Sequence, residues 1–242
     1  EIKQLSYTYA TGLKQKVEAL REISLAIADG DFVGIMGHTG CGKTTLIQLI
    51  AGLLVPTGGQ VLLNNQDIHA RGYDRNILRS SVGIVFQYPE YQLFETTVEK
   101  DVAFGLKHSG LNRADIASRV QWALEALGFD FEAIRAQSPL ALSGGEKRRV
   151  AIAGVLAAKP KILIFDEPIA GLDPKGREAF LSLVTRLNRE GTTIIMVSHN
   201  LDALSEYTKR VFVLDNGCLT LQGSPREVFA RLSHIKSLPS AM

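Results

Sequence analysis

Residues 37–44, Gly37-His38-Thr39-Gly40-Cys41-Gly42-Lys43-Thr44, hold the densest chemistry in the sequence. Glycines at this spacing let several backbone N–H groups converge on one anion, and a helix starting at the end of the loop adds its positive N-terminus. Lys43 offers a mobile charge to β- and γ-phosphates, and Thr44 a hydroxyl to Mg²⁺. An apolar strand, Phe32–Met36, is expected before the loop and a helix over Gly42–Gly52 after it. That context makes the spacing a nucleotide site rather than a glycine-rich turn. His38 and Cys41 read as spacers within it.

Three further groups of residues could take part in phosphate chemistry. Ile162-Leu163-Ile164-Phe165 is an apolar run ending in Asp166 and Glu167. A carboxylate at such a strand end can hold Mg²⁺, and its neighbour, pointing elsewhere, can polarise an attacking water. Alone, paired acids after a strand mark a solvated turn; a phosphate loop in the same chain favours the catalytic reading. Gln87 and His199 close the apolar runs Val82–Phe86 and Thr193–Val197, and spacing alone leaves each between a phosphate or Mg²⁺ contact and an ordinary strand-end residue. Leu142-Ser143-Gly144-Gly145-Glu146 opens a helix expected to reach about Ala158, a second ready anion site but by itself equally a plain turn and cap.

These residues need a scaffold. Ile2–Tyr9, Ser24–Ile27, Val61–Leu63 and Val211–Leu214 add strand candidates, while Val98–Gly128 has helical periodicity with Val120, Ala123, Leu124 and Leu127 on one face. Asp173-Pro174 and Ser224-Pro225-Arg226-Glu227 are helix starts, and Asn216-Gly217 is a hairpin turn. Strands alternating with helices imply an α/β fold with a mainly parallel sheet, interrupted by a helical insertion over about 88–158. One domain is expected over 1–232, with a tail at 233–242.

Bulk properties exclude other classes. Lys+Arg 27 against Asp+Glu 25 leaves a net charge of +2, without the basic excess of a nucleic-acid binder. The run Leu46–Val55 is half the roughly 20 apolar residues of a spanning helix. Glu1-Ile2-Lys3-Gln4 has no basic-then-apolar leader, and the missing initiator methionine implies that something preceded Glu1. Cys41 and Cys218 fit no metal spacing and read as reduced thiols. A soluble chain is expected, reaching any membrane through a partner.

Taken together, the motifs resemble the ATP-binding cassette (ABC) family across nearly the whole chain. In family order come an A-loop aromatic (Tyr9), Walker A (Gly37 to Thr44), a Q-loop (Gln87), the signature (Leu142 to Glu146), Walker B (Ile162 to Asp166) with its glutamate (Glu167), a D-loop (Ala170-Gly171-Leu172-Asp173) and a switch histidine (His199). The resemblance implies a P-loop NTPase fold: a RecA-like core, an α-helical subdomain and an N-terminal antiparallel β subdomain. It also implies an ATPase using ATP and Mg²⁺, in which two cassettes face each other head to tail. Tyr9 would stack on adenine; residues 37–44 with Thr45 would hold the phosphates; Ser143, Gly144 and Gly145, with Asp173 nearby, would meet the partner's nucleotide. Lys43, Gln87, Glu167 and His199 would serve catalysis, and Thr44, Gln87 and Asp166 the metal.

Phe86–Phe94, Thr97–Gly105, Lys147–Ala157 and Ala170–Arg177 look more narrowly like energy-coupling factor transporter ATPases, and Gly37–Gly40 with Tyr88–Tyr91 like their A-prime member. That family implies uptake of vitamins or of cobalt or nickel ions, at the cytoplasmic face of a prokaryotic membrane. Its partners would be a second ATPase, identical or paralogous, a transmembrane T subunit and a substrate-binding S subunit. The aromatic segment Tyr88, Tyr91, Leu93 and Phe94 either packs the helical insertion or meets the T subunit, with Glu90 and Glu99 expected to be exposed. Lys147-Arg148-Arg149 reads first as a solvated basic turn. Glu146 stands where the family usually has Gln, and Ile169 where Thr is usual. The family's usual C-terminal extension does not follow Met242, so a shortened tail is expected. The rival readings are a cassette with a dedicated permease and a soluble ABC ATPase acting on nucleic acid.

Overall fold

A computed structural model describes residues 1–11, 15–107, 109–199 and 201–237. The chain forms two compact units, the first from residues 1–78 with those from 193 on, the second from 79–192.

The first unit opens with β1 (Ile2–Thr11) and β2 (Gln15–Leu25), paired antiparallel. Sequence periodicity placed only the end of β2; its first half is held by β1, with Tyr9 opposite Val17 and Tyr7 opposite Leu20. Ile2, Leu5, Leu20 and Ile23 are buried. The chain continues through β3 (Phe32–Met36), α1 (Lys43–Ile50), β4 (Gly58–Leu63), β5 (Gln66–Asp67) and α2 (Arg75–Ser81). β4 joins β1 antiparallel and β5 joins β4, completing a small antiparallel sheet in the order β2-β1-β4-β5.

The second unit contains β6 (Val82–Val85), α3 (Val98–Ala103), α4 (Arg113–Ala126), α5 (Phe131–Ile134), α6 (Gly144–Leu156), β7 (Ile162–Asp166) and α7 (Pro174–Arg189). β6 and β7 pair in parallel. The long helical stretch expected at Val98–Gly128 is two helices, with a 3₁₀ turn at Phe104–Leu106 and a break before the Asn112 cap. Val102, Leu106, Val120, Leu124, Val150 and Leu156 make the helical core. The side chains of Thr97, Asn112, Asp130, Ser143 and Asp173 each accept a bond from a first-turn N–H. Each such cap stabilises by about 1 kcal/mol.

The chain then returns to the first unit as β8 (Thr193–Val197), α8 (Leu201–Tyr207), β9 (Arg210–Asp215), β10 (Cys218–Gly223) and α9 (Pro225–Ser237). β3 lies parallel between β8 and β9, and β10 returns antiparallel. Asn216 and Gly217 have φ of 46° and 78°, the left-handed pair that a two-residue hairpin turn needs. α9 continues past residue 232, and residues 238–242 of the expected tail lie outside the described residues.

Candidate functional site

The phosphate loop belongs wholly to the first unit. β3 is buried at four of its five positions, and its register beside β9 fixes where the loop departs. A Cβ on Gly37 would collide with the Leu214 carbonyl oxygen and Cys41 Sγ, so the backbone passes where only glycine fits. Gly42, at φ 105°, caps α1 without a side-chain bond and has the Ala19 carbonyl oxygen 2.7 Å from where a Cβ would stand. Gly42 thus sets no capping side chain over the first turn of α1, a helix start of the kind an incoming phosphate uses.

Lys43 is pulled back over the loop. Its Nζ donates to the carbonyls of Gly37 (2.7 Å) and His38 (2.8 Å) and reaches Cys41 Sγ at 3.8 Å. The ammonium thus sits inside the curl that a polyphosphate would fill. His38 does more than space the loop: Nε2 lies 3.0 Å from Asp215 Oδ1 and Nδ1 2.8 Å from the Thr39 carbonyl. Cys41 is buried and is a free thiol. Thr39, Gly40 and Thr44 are exposed, and Thr45 is buried. The Tyr9 hydroxyl lies 3.2 Å from Thr45 Oγ1, which brings the half-buried Tyr9 to the first turn of α1.

His199 reaches the same sheet edge. Ile35 pairs with Val197 in parallel, and Ser198 N donates to the Ile35 carbonyl at 3.1 Å, so the exposed His199 leaves β8 where the loop leaves β3. Ligands of open α/β sheets bind at such carboxyl ends.

In the second unit, Val85 pairs with Phe165, so Gln87 and Asp166 emerge from adjacent strands at one edge. Gln87 is exposed, whereas Asp166 and Glu167 are only 6% and 8% exposed. Glu167 adopts φ 49°, a left-handed backbone unusual for a residue with a side chain. The turn begins directly after β7 ends at Asp166.

Ser143 caps α6 within a reciprocal box. Glu146 Oε2 accepts from Ser143 N at 2.9 Å and from Ser143 Oγ at 2.6 Å, while Glu146 N donates to Ser143 Oγ at 3.4 Å. The Ser143 hydroxyl, followed by its N–H, holds the Glu146 carboxyl below its ordinary pKa. Glu146 is therefore an integral part of the cap, with its charge beside the Ser143 hydroxyl. Asp173 caps α7 through Gly176 N at 2.9 Å. A cleft of about 570 Å³ brings Ser143, Gly145 and Glu146 together with Leu172, Asp173 and Lys175.

Two readings of the sequence need correction. Lys147-Arg148-Arg149 is no solvated basic turn: Arg148 is 8% exposed, and Arg149 donates to the Leu127 carbonyl at 3.1 Å and covers the Phe129 ring at 4.4 Å. Arg148 went unrecognised although it lies four residues before Ile152 and eight before Leu156, the buried stripe of α6. Nor is Glu90 exposed: it is half-buried, with Oε2 shielded and without a hydrogen-bond partner. Glu99 is also only half-exposed, with Oε2 3.9 Å from Arg135 Nε. The aromatic segment does face outward, with Tyr88 57%, Tyr91 84% and Phe94 63% exposed. Leu93 is half-buried.

Comparison with known proteins agrees with this geometry. The ABC transporter family model matches residues 20–170, well over half of the chain. An energy-coupling factor transporter ATP-binding protein EcfA2 of Clostridioides difficile (strain 630) is 46% identical, over 94% of this chain and 80% of its own. Its counterpart in Symbiobacterium thermophilum is 47% identical, over 97% and 81%. Among solved structures, cbiO1 from Clostridium perfringens, part of the ABC transporter complex cbiONQ, superposes with a TM-score of 0.81 at 41% identity, covering 97% of this chain and 92% of that one. A dimeric ATP-binding cassette in a post-hydrolysis state, bound to ADP and Pi, gives 0.83 at 30% identity, covering 93% and 98%. With its phosphate loop, paired acids and signature turn in family order, the chain belongs to the ABC transporter family, as an ATP-binding, ATP-hydrolysing subunit of the energy-coupling factor type.

Proposed function

We propose that ATP is held between the phosphate loop of this chain and the signature turn of a second cassette, and that its hydrolysis drives a transmembrane T subunit carrying an S subunit. One observation carries the two-cassette reading. Gly144 and Gly145 have ordinary backbone conformations, and a Cβ on either would meet nothing within 4 Å. Among the described residues nothing crowds either glycine, which leaves the space above the first turn of α6 open to something approaching from outside. A polyphosphate on a partner subunit, drawn to the N–H groups of the first turn of α6, fits that space.

The roles proposed are those the family resemblance implies for the matching residues. Tyr9 stacks on adenine, and residues 37–45 wrap the phosphates, with Lys43 exchanging its carbonyl partners for β- and γ-oxygens. Water attacks the γ-phosphorus in line, a bond forms from water oxygen to phosphorus, the β–γ bridging P–O bond breaks, and ADP and Pi result. Glu167 polarises that water and takes up its proton, while His199 and Gln87 contact the γ-phosphate and the water. Thr44 hydroxyl, Gln87 amide oxygen and Asp166 carboxylate are an all-oxygen set suited to Mg²⁺, which commonly binds one or two carboxylates and substrate phosphates. Among the described residues no three His, Cys, Asp or Glu side chains cluster as a metal cage, so the ion would be shared with the substrate and would offset charge on its oxygens. Glu167→Gln should lower ATP turnover in the assembled complex by about 1,000-fold, the order expected when a positioned base is lost, with ATP binding intact. Near-normal turnover would reject the assignment.

The membrane partner is proposed from the exposed aromatics beside Gln87. By family likeness the bilayer is reached through another subunit, at the cytoplasmic face; no helix among the described residues is long and apolar enough to cross a membrane. Tyr88, Tyr91 and Phe94 supply an aromatic surface of the sort that anchors interfaces. Tyr91→Glu should reduce co-purification with the T subunit by about tenfold, roughly one hot-spot contact, and leave ATP binding unchanged; full recovery of the complex would count against this surface. Charge reversal at Glu90 is a poor probe, because the buried carboxylate would disturb the interior. The nearly balanced charge and the internal bonding of Arg148 and Arg149 speak against a nucleic-acid partner. The transported molecule, a vitamin or metal ion by family likeness, would be read by the S subunit.

A further inference from the structure

The turn after β7 is held by Arg148, five residues past the signature Ser143 and given no role in nucleotide chemistry above. From α6, Arg148 Nη1 donates to the Ala170 carbonyl at 2.9 Å, and Nη2 donates to the Pro168 carbonyl at 2.6 Å and the Glu167 carbonyl at 3.3 Å. The planar guanidinium spans three acceptors within four residues, a geometry that a point-charged lysine does not reproduce. Within the same turn, Ala170 N donates to the Glu167 carbonyl at 3.3 Å. Glu167 itself sits at φ 49°, a conformation that persists only where the surroundings over-determine it. Arg148 is one of the surrounding groups that hold it.

The segment after Gln87 packs on the helix that carries Arg148. The 3₁₀ turn Pro89–Gln92 packs on α6, and the buried oxygen of Glu90 and the buried Nε of Arg148 both lack hydrogen-bond partners. Burial lowers the affinity of Arg148 for its proton, while Glu90 and then Tyr88 oppose that effect. The three carbonyls are the acceptors of the guanidinium, and the Glu90 carboxylate favours its charged form against burial.

We infer that Arg148 is a positioning residue for hydrolysis: by holding the carbonyls of Glu167, Pro168 and Ala170 it fixes the backbone from which Glu167 presents its carboxylate to water. The inference rests on the proposed role of Glu167 and adds the group that sets its placement. It also gives the Glu90 turn a physical route to the same carboxylate.

The test uses the purified transporter complex carrying Arg148→Met, Arg148→Lys or Glu167→Gln, with kcat measured alongside the Kd of a fluorescent ATP analogue in Mg²⁺. Arg148→Met is expected to lower kcat by about 100-fold, the scale of a misplaced catalytic group, with the nucleotide Kd within about threefold of the parent. Arg148→Lys is expected to recover about a tenth of the parent rate, since it keeps charge but loses the fork. Parent-like kcat in Arg148→Met, or equal losses of kcat and nucleotide binding, would overturn the inference while leaving an inactive Glu167→Gln to support the catalytic role. Should Arg148→Met not assemble, Arg148→Lys decides: a parent-like rate overturns the inference, and a reduced kcat at unchanged Kd supports it. Normal hydrolysis by Glu167→Gln would instead sink the role of Glu167, and the inference with it.

Discussion

Two helices in this chain begin with the same device and serve different ends. Ser143 and Glu146 cap α6; Ser224 and Glu227 cap α9, with Glu227 Oε2 accepting from Ser224 N at 2.7 Å and Ser224 Oγ at 2.8 Å, and Glu227 N donating to Ser224 Oγ at 3.4 Å. The bonds match those of the first box to within about 0.2 Å. Between Ser and Glu, however, one box has Gly144-Gly145 and the other Pro225-Arg226. Proline has no N–H to offer and suits the first helical position for purely local reasons. The glycine pair keeps both N–H groups and clears the space above them. A capping box makes a helix start; bare glycines within it make a place for an anion from outside.

The largest effect is expected from exchanging the two interiors. Gly144→Pro with Gly145→Arg gives α6 the interior of the α9 box, so helix content should hold while ATPase activity falls at least about 100-fold, as when an oriented backbone donor is lost from an anion hole. Activity near the parent level would show that Gly144 and Gly145 touch no nucleotide. The reverse exchange, Pro225→Gly with Arg226→Gly, should leave ATPase unchanged and cost about 1–2 kcal/mol of stability from added chain freedom, readable by denaturant unfolding.

Removing the caps sharpens the contrast at smaller scale. Ser143→Ala and Ser224→Ala should each cost about 1 kcal/mol, but only Ser143→Ala should also lower kcat, by about tenfold for one lost γ-phosphate contact. Equal kinetics in the two variants would erase the functional difference between the boxes.

The smallest effect is on titration, and there the boxes should agree. The Ser143 hydroxyl, then its N–H, depresses the Glu146 pKa; the Ser224 N–H, then its hydroxyl, depresses that of Glu227. A depressed carboxylate contributes stability fully above its unfolded pKa and loses it as pH falls through the lower folded value. Side-chain carboxyl NMR should show both glutamates titrating below the ordinary carboxylate range, each moving upward in the matching Ser→Ala variant. Ordinary titration in the parent protein would mean that the bonds do not persist in solution.

What was legible in the sequence was local. Phe32–Met36 leading into Gly37–Thr44, the Asn216-Gly217 turn and the helix starts at Ser143, Asp173 and Ser224 all depend on residues within a few positions of each other, and each lies where the sequence places it. What escaped was set by distant chain. The first half of β2 depends on pairing with β1, because Val17 is 54% exposed and gives little alternation of its own. Arg148 reads as a solvated charge because its acceptors, 19 to 22 residues away, are carbonyls without a side-chain signature. Glu90 escaped for the same reason, its carboxylate being shielded where its turn packs on α6. The left-handed Glu167 had no local warning either, since glycine is the residue that normally marks such a backbone.

The most direct measurement is a nucleotide-bound structure of the Glu167→Gln complex with its partner cassette. Ser143 Oγ and the N–H groups of Gly144 and Gly145 are expected within hydrogen-bonding distance, about 3 Å, of the γ-phosphate carried by the partner's phosphate loop. A closed complex in which the signature turn lies far from every nucleotide would contradict the shared site.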